Sequence, residues 1–166
     1  TTGRLAITTR RADDGQTCVT LRDTRGNRNG ADAPALAERC SWGQVWAASA
    51  APNREGTALA LAVQPVDGWR ELWVFRKDPS GWSTQVLPPA ALQPGTGYAE
   101  FAGWEPGGKR LLVAREAIAE GKTVRRFEVV KVDTLVPERT AFDAEALGPF
   151  SRWPDPAWKR DSLALR

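Results

Sequence analysis

The sequence predicts an all-β fold assembled from four-stranded antiparallel meanders. Three observations carry that prediction: an internal repeat of about 52 residues, Gly-containing turns at hairpin spacing, and apolar runs with few helix signals between them. The repeat is anchored on Leu5, Leu59, Leu111 and Leu163, spaced by 54, 52 and 52 residues. Gly3-Arg4-Leu5-Ala6-Ile7 returns as the run from Gly56 to Ala62, again from Gly108 to Ala114, and last from Arg160 to Leu165.

Each element has a local reason. The first unit, 1–41, opens on a strand over 4–10, turns at Asp14-Gly15 and continues as a strand over 17–23. The second, 42–94, places strands over 45–50, 58–64, 70–77 and 82–87, with turns at Asp67-Gly68 and Ser80-Gly81. The third, 95–148, places them over 99–104, 110–115, 124–133 and 137–142, turning at Glu120-Gly121. A partial unit, 149–166, ends in a strand-like run over 161–166. Gly after Asp, Ser or Glu supplies the positive φ that tight hairpins require, and Leu72-Trp73-Val74-Phe75 suits a half-buried pleat. Only 33–39 and 141–147 offer a short turn of helix, limited by Pro34, Pro137 and Pro149.

Four-stranded units at this period suit β-propeller blades, which pack their faces around an axis; two full and two partial units leave the ring incomplete in this chain. The run Trp104-Glu105-Pro106-Gly107-Gly108-Lys109 before Arg110-Leu111-Leu112-Val113 resembles the Trp-Ser-Pro-Asp-Gly-Lys turn and strand of TolB-type propeller repeats. The second copy keeps Pro52 and Gly56, and the last keeps Trp153-Pro154-Asp155-Pro156. Glu105 and Gly107 depart from the usual Ser and Asp, and Asn53-Arg54-Glu55 replaces the acidic turn. The resemblance covers most of the chain but specifies a fold, not an activity. It implies a setting in the bacterial envelope.

Composition removes several function classes. The chain has no His, which excludes Ser-His-Asp and Cys-His nucleophilic sites and imidazole metal sites within it. Its 23 basic and 20 acidic residues are interleaved, so Arg10-Arg11, 22–28 and Arg125-Arg126 read as solvated edges and turns, without a nucleic-acid partner. The longest apolar stretch, 58–63, is too short to span a membrane. Gly107-Gly108-Lys109 lacks the rest of a phosphate loop, and no G-x-S-x-G elbow occurs. No calcium-loop pattern exists, and no cofactor or metal is expected. Absence of Met and the abrupt last strand suggest a fragment of a longer protein.

Cys18 and Cys40 flank a polar, Gly-rich loop and are read as a disulfide, the alternative being two buried thiols; they lack a Cys-x-x-Cys spacing. A bridge favours a periplasmic or secreted location. Among eight tryptophans, Trp73 and Trp104 are assigned to the core. Trp69 and Trp82, at hairpin rims, are candidates with Trp42 and Trp153 for a partner or ligand surface, and Trp46 and Trp158 are further ones. Asp13, Asp14 and Asp67 are turn residues; Glu71, Glu100, Glu105 and Asp155 are the candidates for the paired carboxylates that propeller enzymes place at strand starts around the axis.

The expected function is therefore a non-enzymatic binding module, with no catalytic residue in this chain, that presents a propeller surface to a protein or peptide. Carbohydrate is the second ligand class, and open blade edges offer self-association. The competing expectation is the propeller portion of an enzyme, either a prolyl-oligopeptidase-like hydrolase whose catalytic domain lies elsewhere or a carbohydrate-active propeller.

Overall fold

The structure, a computed structural model, describes residues 5–24, 33–90 and 96–161. Eleven strands form in order: β1 (Leu5–Arg11), β2 (Thr17–Asp23), β3 (Ala35–Ser41), β4 (Gln44–Pro52), β5 (Ala58–Val66), β6 (Trp69–Asp78), β7 (Gly81–Leu87), β8 (Gly97–Trp104), β9 (Arg110–Ala119), β10 (Lys122–Lys131) and β11 (Pro137–Ala141). A 3-10 turn (Ala144–Ala146) and two short helices, α1 (Gly148–Arg152) and α2 (Pro156–Asp161), come after β11. The four expected hairpin turns are present, each with its Gly at positive φ.

Strands β1, β2 and β3 make an antiparallel three-stranded sheet. The remaining eight form two antiparallel meanders, β4 to β7 and β8 to β11. They are joined where the start of β6 pairs in parallel with β8, Trp69 with Gly97 and Arg70 with Tyr98. Beyond this joint β6 pairs with β7 instead, so the meanders diverge and enclose a core. Ala58, Ala60, Leu72, Val74 and Leu87 from one side meet Ala99, Leu111, Val113 and Val130 from the other.

Alternation in β5, β6, β9 and β10 sends the intervening residues to two further cores. Leu59, Leu61, Val63, Trp73 and Phe75 pack against Leu5, Val19 and Leu21 of the first sheet. Leu112, Ala114, Phe127 and Val129 pack against Leu147 and Phe150, with Trp158 at the margin. The stretches 58–61, 72–75 and 111–114 are buried on both faces and are continuous apolar runs, so Leu72-Trp73-Val74-Phe75 is fully buried where the sequence suggested a half-buried pleat. The result is three sheet layers and a helical layer.

The far face of the first sheet is polar. Thr20 donates to Glu38 at 2.9 Å, Arg10 to Glu38 at 3.1 Å and Arg22 to Thr8 at 2.9 Å. The Thr20 bond, then the Arg10 guanidinium, hold the Glu38 carboxyl below its ordinary value. On the same face Cys18 and Cys40 are direct cross-strand partners joined by the expected disulfide, with Cα atoms 3.9 Å apart.

Two expectations need correction. Residues 33–39 do not turn into helix: Ala35–Ser41 is β3, because pairing with β2 satisfies its backbone and outweighs the helix propensity of its Ala, Leu, Glu and Arg. Residues 148–161 hold two helices where a further partial blade was expected, since Gly148-Pro149 starts a helix and Phe150 finds an apolar face to cover. No sheet closes on itself among the described residues. The expected strand over 161–166 lies, apart from Asp161, outside the described residues, as do Gly3, Arg4 and residues 25–32. No helix among the described residues is long and apolar enough to cross a membrane.

Candidate functional site

Three turn segments, at 52–56, 104–108 and 153–156, meet at one rim of the stack. In the β4–β5 turn the buried Asn53 side chain accepts from the backbone N–H groups of Thr57 and Ala58 at 2.9 and 3.1 Å and donates to the Thr57 hydroxyl at 2.8 Å. In the β8–β9 turn Gly107 N–H donates to Glu55 at 3.2 Å, tying the two turns together. Gly108 sits at φ 70°, in the left-handed region that favours glycine, and a Cβ there would lie 2.6 Å from Glu55 Oε1 and 2.7 Å from Asn53 Nδ2. The third segment is pinned by Asp155 N–H donating to the Ala102 carbonyl at 2.7 Å. The Asp155 carboxylate accepts from Ala157 N–H at 2.8 Å at the start of α2.

Between these segments lies a groove of about 440 Å³. Its apolar lining is Pro52, Trp104, Pro106, Trp153, Pro154 and Pro156. Trp104 is fixed by its indole N–H donating to Ala51 at 3.1 Å and by Phe101 at 5.4 Å between ring centroids. Trp153 is 40% exposed and its ring is available. The groove acids already have structural partners: Glu55 on Gly107, Glu105 with Arg110 at 3.7 Å, and Asp155 on Ala157. Arg54 and Arg152 complete the lining. No family model, curated protein or solved structure matches this chain. Function is therefore read from the groove itself.

The four candidate tryptophans do not share a surface. Trp69 is buried at 3%, at the joint between the meanders, and offers no face to a ligand. Trp82 is half-buried against the second core. Trp42 is exposed at the β3–β4 hairpin, its ring close to the β1–β2 turn at Gly15. Trp153 alone of the four lines the groove. Trp104, assigned to the core, is half-buried and serves both core and groove. A tryptophan followed closely by proline, in Trp104-Glu105-Pro106 and in Trp153-Pro154, is the sequence signal for this pair.

The four candidate carboxylates are likewise divided. Glu105 and Asp155 line the groove, whereas Glu71 accepts from the Trp73 indole at 3.4 Å and Glu100 pairs with Arg70 at 3.2 Å. Arg70 sits at the joint, its guanidinium 5.3 Å from the Tyr98 ring centroid and 5.9 Å from that of Trp46. Burial lowers the Arg70 pKa while the Glu100 charge opposes that shift. Elsewhere on the second meander, Arg115 donates to the Pro88 carbonyl at 2.9 Å and lies 2.9 Å from Glu128, in an ion pair without hydrogen-bond alignment. Sequence reasoning missed these buried charges, because a charged residue inside a strand does not reveal which neighbouring strand faces it.

Among the described residues one trio of metal-ligand types converges, Cys18, Glu38 and Cys40. Both sulfurs are committed to the disulfide, so no thiolate remains to bind a cation.

Proposed function

We propose that this chain is a non-enzymatic binding module, an arc of propeller-type blades in an oxidising compartment of the bacterial envelope, that holds an extended protein or peptide segment in the aromatic groove. The observation that carries the reading is the meeting of the turns at 52–56, 104–108 and 153–156 around a groove that exposes Trp153 beside the fixed Trp104. Rigid aromatic walls suit proline or aromatic side chains and lose little entropy on binding. The propeller-type reading draws on two four-stranded meanders that pack face against face, and the compartment on the disulfide.

The test selects peptides on the immobilised protein from a random library and measures them against Trp153→Ala. Loss of about 2 kcal/mol or more in binding, with an unchanged melting temperature, is expected for an exposed aromatic anchor. Peptides that bind the variant equally well would remove the groove from consideration. Selective capture of oligosaccharides in place of peptides would shift the reading to the carbohydrate class.

A further inference from the structure

On the other side of the Gly108 turn lies a second concavity of about 410 Å³. It is bounded by the ends of β6 and β10 and the starts of β5 and β9, which are tied together by Lys77 N–H to Thr57 at 3.0 Å and Val132 N–H to Lys109 at 2.9 Å. Five cations line it, Arg76, Lys77, Lys109, Arg110 and Lys131, against two acids, Asp78 and Asp133.

Two of the five are engaged. Arg110 pairs with Glu138 and Glu105, and Arg76 donates from Nη1 to the Val132 carbonyl at 2.9 Å. The Arg76 Nε is buried with no hydrogen-bond partner. Asp78 is occupied by Ser80, which donates from both its N–H and its hydroxyl, and feels the Arg76 charge. Lys77, Lys109 and Lys131 make no ion pair within 4.0 Å among the described residues, although Lys131 acts on Glu138 at longer range. Three uncommitted ammonium groups at the ends of three strands make a distributed positive field.

We infer that this basic hollow receives the carboxylates of an acidic stretch in the same partner whose apolar side chains occupy the aromatic groove. The inference rests on the proposed peptide-binding function. A small oxyanion site would gather donors on one point, usually backbone N–H groups of a helix N-terminus or nest. Here the cations come from two meanders and are spread over a length of chain, which matches spaced carboxylates. The two concavities take their linings from the same two turns, Arg54 and Glu55 against Thr57, and Glu105 and Pro106 against Gly108 and Lys109, which places them side by side for one extended partner segment.

Hexaglutamate is the probe, since it carries charge and no apolar side chain. Titrated at about 20 mM salt, it should shift the backbone amide resonances of 76–78, 109–110 and 131–133, and the binding should weaken toward 150 mM salt as screening sets in over about 10 Å. The double variant Lys77→Glu/Lys131→Glu should bind at least about tenfold more weakly, while Lys122→Glu, at the far end of β10, should bind as the parent does. Absence of binding, or an equal loss in Lys122→Glu, would overturn the inference. So would inorganic phosphate that produces the same shifts and displaces the peptide, which would make the hollow a small-anion site. Trp153→Ala should leave hexaglutamate binding intact. If hexaglutamate fails while library peptides still depend on Trp153, the groove reading survives and only the acidic partner falls.

Discussion

Tyr98 is the sole tyrosine of the chain, so its phenol can be followed without interference from another. Burial first, then its hydrogen bond to Glu116 and the charge of Glu100, raise its pKa well above the ordinary phenol value, with Arg125 pulling the other way. A raised folded pKa means that its stabilising contribution is complete below about pH 10 and is lost as pH rises above that value. We therefore expect no phenolate absorbance step near pH 10 in the native protein, and one that coincides with loss of near-ultraviolet circular dichroism at higher pH. The urea-unfolded chain should titrate at the ordinary value; a native step near pH 10 would contradict the burial. Glycines 43 and 81 make a second contrast. A Cβ at Gly43, φ 81°, would meet the backbone carbonyls of Gln64 and Pro65, whereas at Gly81, φ 123°, it would meet nothing within 4 Å. Gly43→Ala should cost about 2 kcal/mol or more in urea unfolding and Gly81→Ala about 1 kcal/mol, the latter from backbone conformation alone. Equal costs would mean that the β3–β4 turn relaxes around the methyl group.

Among the elements, the first sheet depends most on its crosslink. Its outer face is held by polar contacts and the Cys18–Cys40 bridge, which spans 22 residues of sequence. Replacing both cysteines with serine should lower stability by roughly 3 kcal/mol by the loop-entropy relation. Intact mass without reductant should be lighter by two hydrogens than after reduction. The strands were largely legible in the sequence. Leu72-Trp73-Val74-Phe75 could not be mistaken, because β-branched and aromatic residues fit a pleated surface and Asp67-Gly68 fixed where the strand began. The run at 35–41 was not legible, since Ala-Leu-Ala-Glu-Arg favours helix locally and only the partner strand β2 decides otherwise. The helices α1 and α2 were missed for a different reason. Trp153-Pro154-Asp155-Pro156 resembles the other turns in composition, yet the helices on either side of it cover the third core with Phe150 and Trp158.

For the whole molecule, the layers are closed at both ends. The first sheet turns a polar face outward, and the segment after β11 covers Leu112, Ala114, Phe127 and Val129. Polar or covered outer faces keep stacked layers from associating through their apolar sides. Truncation after Phe142 should uncover that apolar face and convert the protein to a concentration-dependent associate, seen by light scattering, while far-ultraviolet circular dichroism still reports β-structure. A truncated chain that stays monomeric and folded would show that the helical segment is not a cap. The groove belongs to this scale as well. Pro52, Pro106 and the run 153–156 were readable as turn segments, but their meeting depends on how the two meanders leave the Trp69–Gly97 and Arg70–Tyr98 joint.

By itself the sequence determined most of the strands and their hairpin turns and left the Cys18–Cys40 bridge as one of two readings, because strands and turns depend on backbone preference, side-chain alternation and short loop closure. Tertiary structure alone decided that 35–41 pairs as a strand, that 148–161 folds over the third core, and that Trp69 is buried while Trp153 opens on a groove. The reason is that these outcomes depend on contacts between residues far apart in the chain, where packing and pairing energies exceed local propensity.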